Sequence, residues 1–150
     1  MVTVNDIIKA INERLAEKYP EHTVYINLLP KDFQRPSFLI EQLDAVRTDV
    51  NRTTVAWLVE MSITGFVSVD GHYNSDVEGL TETQSSIMEI FTCGYLSVRD
   101  RSIPVPLVKG GNDFTECYVN LTFDYFDDRP EATEELPLIE TIQTNFKLEE

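Results

Sequence analysis

The chain is 150 residues long, 42% hydrophobic and 25% charged, which predicts one globular domain over residues 1–150 with a core that needs no staples. No apolar run approaches the roughly 20 residues of a membrane-spanning helix, and Met1-Val2-Thr3-Val4-Asn5-Asp6 lacks the basic and apolar regions of a signal peptide, so an intracellular setting without membrane contact is expected. A net charge of −14 counts against a nucleic-acid grip built on counterion release; it suits equally a soluble surface and a surface past which DNA slides.

The first element is a helix. Thr3 and Asp6 have the spacing of a capping arrangement, Ile7, Ile8, Ile11 and Leu15 share one face, and Pro20 ends it. His22 to Leu28 alternates as a strand that Pro30 closes, and a polar turn from Lys31 to Pro36 leads into a second strand, Ser37 to Leu43. The third strand is the clearest: Val55, Trp57, Val59, Met61 and Ile63 point one way, Ala56, Leu58, Glu60, Ser62 and Thr64 the other. Unbroken from Thr53 to Val67 it would span roughly 50 Å at about 3.3 Å per residue. A domain of this size has a diameter of only about 40 Å. Either Gly65 bends the strand, or a hairpin projects beyond the body as a device for binding neighbours.

Asp70 to Tyr73 reads as a turn, and Ser75 with Glu78 as a second capping box. Val77, Leu80, Gln84, Ile87, Met88 and Phe91 follow helical spacing; Gly79 shifts the expected start towards Thr81, and Gly94 is placed to end the helix. Tyr95 to Val98 is a short strand. Ile103 to Val108 is extended, and its prolines confine it to an edge. Lys109-Gly110-Gly111-Asn112-Asp113 reads as a hairpin turn before a last long strand, with Thr115, Cys117, Val119, Leu121, Phe123 and Tyr125 on its apolar side. Asp127 to Pro137 reads as a solvated acidic loop, and β-branched residues tip Leu138 to Leu148 towards strand. The sum is an α+β domain, a mainly antiparallel sheet of five or six strands packed by two helices.

No nucleophile elbow, phosphate loop, dinucleotide fingerprint or zinc cluster is present, so no catalytic, cofactor-binding or metal-binding residue is expected. His22 and His72 lie far apart in the chain, and carboxylates are common enough to neighbour either by chance. Asp70 to Asp76 lacks the spacing and closing glutamate of a calcium loop. Cys93 and Cys117 read as two buried thiols in a reducing compartment. Arg99, Asp100 and Arg101 form the one compact basic group, a solvated turn or a partner for a neighbour's carboxylates. Val67, Val69 and Tyr73, beyond the third strand, are the other candidate subunit contacts; Phe146 suits core or interface equally.

Three stretches resemble the tail terminator family of Gram-positive phages, defective prophages and phage-tail-like bacteriocins with contractile tails. They are the N-terminal helix leading through Tyr19-Pro20 to Val24-Tyr25, the strand start Phe33-Gln34-Arg35-Pro36-Ser37-Phe38-Leu39-Ile40, and the late alternating strand Leu121-Thr122-Phe123-Asp124-Tyr125. Lys31-Asp32 departs from that family's glutamine-glycine turn. The resemblance implies a structural protein, assembled in the bacterial host cytoplasm, that forms a hexameric ring on the tail tube. It would stop the tube's growth and meet sheath and neck or head-completion proteins. Long alternating strands and an edge strand suit a ring closed by heterologous contacts. The alternatives are another neck component, such as a head–tail connector or tail completion protein, an acidic protein-binding module, and an enzyme whose site forms between subunits.

Overall fold

The computed structural model describes residues 1–69 and 75–130. His72, Tyr73, Phe146, most of the expected acidic loop and the expected terminal strand lie outside the described residues.

Helix α1 (Val4–Lys18) opens with a full capping box: Asp6 N–H donates to the Thr3 hydroxyl, and the Asp6 carboxylate accepts from Thr3 N–H. Its buried stripe is Ile7, Ile8, Ala10, Ile11 and Leu15. Strand β1 (Thr23–Ile26) is shorter than expected because Asn27 turns left-handed at φ 57°, a conformation asparagine tolerates. Strands β2 (Ser37–Asp49) and β3 (Thr54–Phe66) form a long antiparallel hairpin, closed by Asn51, whose Oδ1 accepts from the Thr53 and Thr54 amides. β2 runs past its expected end at Leu43. A bulge between Gln42 and Asp44 shifts its alternation by one residue, so the polar stretch beyond still pairs with β3.

Helix α2 (Val77–Ile90) begins at Val77 despite Gly79. Its N-cap is Asp76, without a side-chain cap bond, and Ser75 instead donates its hydroxyl to Thr115 O at 3.1 Å. The Ser75–Glu78 capping box therefore does not form. Gly94 ends the segment with φ +82°. The proline-rich stretch is two strands. β4 (Tyr95–Val98) and β5 (Arg101–Pro104) make a separate ribbon, and β6 (Leu107–Asn112) is an edge strand of the main sheet. Gly110 and Gly111 lie within β6 and not in a turn. A Cβ on Gly110 would come within 2.7 Å of Met88 Sδ on α2, and one on Gly111 within 2.5 Å of the Tyr118 hydroxyl oxygen. Close side-chain packing on both faces, rather than chain reversal, is what these glycines accommodate here. The reversal is made by Asp113, whose Oδ1 accepts from the Thr115 and Glu116 amides.

Strand β7 (Cys117–Asp128) completes the main sheet in the order β1-β2-β3-β7-β6. Only the β1–β2 pair is parallel; the rest is antiparallel, so the α+β architecture stands. Both helices lie on one face of this sheet. There Phe38, Ile40, Val59, Met61, Ile63, Val119, Leu121 and Phe123 meet the stripes of α1 and α2, and Ile103 and Val105 extend the cover. Cys117 belongs to the buried side, and burial pushes its thiol up to about 11. Cys93, just past the end of α2, is exposed, contrary to expectation.

The two faces of β3 therefore differ in energetic weight. Ile63→Ala is expected to lower unfolding free energy in urea titrations by about 2–4 kcal/mol. Leu58→Ala, on the other face, should cost less than about 0.5 kcal/mol. Equal losses would mean that both faces are packed.

Candidate functional site

The arginines singled out in the sequence flank the turn between β4 and β5, where Arg99 adopts φ 55°. Arg99 Nε lies 3.2 Å from Asp6 Oδ1, and its Nη1 donates to Met1 O at 3.5 Å. Asp6 is held below the usual carboxylate range, first by the backbone N–H of Thr3 and with a smaller contribution from Arg99. Arg101 Nη1 lies 3.2 Å from Asp127 Oδ1, and Nη2 donates to Phe126 O. Its guanidinium also sits over the Tyr125 ring, 5.9 Å from the centroid. Asp127 is only 7% exposed, and its Oδ2 accepts from Val2 N–H at 2.8 Å. This corrects the solvated-loop reading of Asp127: it ends β7 on the packed side, where an acid needs partners. Both arginines already have acids of their own chain. They clamp the N-terminus and the β4–β5 ribbon to the sheet, and as subunit contacts they would have to share those partners.

Val67 and Val69 are half-buried just beyond β3, where Val69 bridges to Ser75. That end of the long strands is enclosed. Phe33 packs on Phe66 with ring centroids 4.6 Å apart, and the Arg35 guanidinium lies 5.0 Å and 5.3 Å from the two rings. Arg35 Nη1 donates to Val67 O at 3.2 Å. The exposed end is the opposite one, at the β2–β3 turn, where β2 is accessible from Gln42 to Asp49 except for half-buried Ala45. His22 serves packing too: it stacks on Phe38 at 5.2 Å, and desolvation pushes its pKa down.

Among the described residues, the face of the sheet turned away from the helices carries a group of exposed apolar side chains. Register places three rows across it: Thr48, Ala56 and Phe126; Val46, Leu58 and Asp124; and Asp44, Glu60, Thr122 and Leu107. Phe126 is 61% exposed, Leu107 56%, Val46 44% and Leu58 40%. The bulge residue Leu43 joins Glu60, Leu107, Lys109, Asn120 and Thr122 around a shallow groove of about 240 Å³. Sequence reasoning did not select these residues, because alternation assigned their rows to the wet side. The available signal was Leu58 among polar neighbours, and Phe126 directly after the core-facing Tyr125.

Among the described residues no group of three or more His, Cys, Asp or Glu is placed to hold a metal ion, and no helix is long and apolar enough to cross a membrane. The groove beside Asp100, Arg101, Asp127 and Asp128 has its central charges engaged in the clamp.

The clamp can be measured directly. Arg101→Ala leaves Asp127 enclosed without its cation and should cost about 2 kcal/mol, below the full cost of breaking a buried pair because Arg101 is partly exposed. In a thermodynamic cycle, adding Asp127→Asn should cost less than the two single losses combined. Strict additivity would mean that the pair does not couple.

A search of the curated proteins finds no match. Among solved structures, one chain with 11% sequence identity is similar at a TM-score of 0.49, covering 88% of this chain and 99% of that one, a likeness too slight to carry an argument. A family model described as phage tail terminator protein matches residues 6–135, from the first turn of α1 past the end of β7. With a match over most of its length, this chain belongs to the phage tail terminator family.

Proposed function

We propose that this chain acts as a single domain that closes a phage tail by forming a ring, a hexamer in the resembled family, on the last layer of tail tube. The ring stops the tube's polymerisation and presents the surface on which neck or head-completion proteins, and in a contractile tail the sheath, are seated. Assembly takes place in the host cytoplasm, in a phage or in a headless tail-like particle. Family membership supplies the tail-terminating structural role. The observation that carries the finer reading is the sheet face that the described residues leave exposed, broad and partly apolar, on a domain whose core lies on the other face. Monomeric proteins rarely expose large contiguous apolar patches unless something binds there. The charge of −14 suits a ring through which DNA passes without adhering.

The test is negative-stain microscopy of purified tail tubes grown with and without the protein. Tubes capped at one end and halted in length are expected in its presence. Tubes that lengthen unmarked would overturn the proposal.

A further inference from the structure

Besides its exposed apolar residues, the sheet face turned away from the helices has a charge pattern. Alternation places Glu41, Asp44, Glu60, Asp124 and Asp128 on it. The cations on the same side are Lys109 and Arg35, and Arg35 is engaged with Phe33, Phe66 and Val67 O. Asp44 and Glu60 stand directly opposite each other across β2 and β3, a like-charge pair that weakens an isolated sheet. Among the described residues none of these five acids is joined in an ion pair. The acids border Val46, Leu58 and Leu43, and the groove between Leu43 and Leu107 has Glu60 and Lys109 on its walls.

We propose that this face is the contact with a second tail protein, one that presents apolar side chains framed by lysine or arginine. The inference rests on the terminator reading, under which that protein is the tube subunit of the last layer. The apolar residues supply burial, and the acids interleaved with them select a cationic partner and speed its approach. A second copy of this chain fits poorly. Its most exposed aromatic among the described residues, Phe114 at 86%, is flanked on the β6–β7 turn by Asp113 and Glu116. Seating that knob on this face would set acid against acid, and pairing two such faces would do the same. The like-charged Asp44–Glu60 pair becomes favourable once a cation lies between the two carboxylates.

The experiment mixes the full chain with purified tube polymer and pellets it at low and raised salt, while sedimentation velocity follows the chain's own assembly. The wild type should pellet with tubes, and less so as salt rises. Leu58→Asp, and separately the pair Asp44→Lys with Glu60→Lys, should each weaken pelleting about tenfold or more with self-assembly unchanged. The near-isosteric pair Asp44→Asn with Glu60→Gln guards against misfolding and should flatten the salt dependence. Variants that all pellet like the wild type would overturn this contact and leave the terminator reading standing. Variants that lose self-assembly would overturn it in favour of a second copy. A wild type that never pellets with tubes would overturn both readings together.

Discussion

Strand β3 is the element on which the molecule depends. It is hydrogen-bonded to β2 on one side and β7 on the other over nearly its whole length. All three strands are 12 or 13 residues long, about 40 Å, comparable to the width of the whole domain. A sheet this long presents two faces that a chain of 150 residues must treat differently. The helices and the β4–β5 ribbon cover one, and Val55, Val59, Met61 and Ile63 are buried there. Among the described residues the other is covered by Phe33 and Arg35 at one end. The same pairing that makes β3 rigid thus fixes where an interaction surface can be.

The clamp at the other edge of the core serves that division. Val2 N–H, Arg101 and Asp127 tie the start of the chain to the end of β7, while Asp6 joins the α1 cap to Arg99. One acid therefore links segments far apart in sequence, and its burial makes the link sensitive to the loss of either partner. The clamp holds the packed layer in place beneath a sheet whose other side is exposed among the described residues.

Most of the helix-side core was legible because period and burial agree there. Ile7, Ile11 and Leu15 on α1, and the alternating residues of β3 and β7, are buried as their spacing implies. What failed had identifiable physical causes. The bulge at Leu43 reverses the parity of β2, so a period-two reading loses the strand midway. Gly110-Gly111 has turn composition, but the glycines lie within β6, where Met88 and Tyr118 pack closely from either side. Ser75 and Glu78 match a capping box in spacing, yet Thr115 O engages the serine. For the site, net charge and the absence of catalytic motifs pointed towards assembly. Which acids Arg99 and Arg101 would find, and which exposed apolar residues would gather on one face, depended on register between strands distant in sequence. Local patterns do not encode that register.

The central claim is that the uncovered face of the β2–β3–β7–β6 sheet meets the tube at the end of the tail. Electron cryomicroscopy of intact tails tests it most directly, since it places the domain and orients it at once. The account expects the domain in a ring at one tube end, with Val46, Leu58 and Phe126 against tube subunits and the helices turned away. A ring whose helix face meets the tube, or density for the domain anywhere but the tail end, would contradict it.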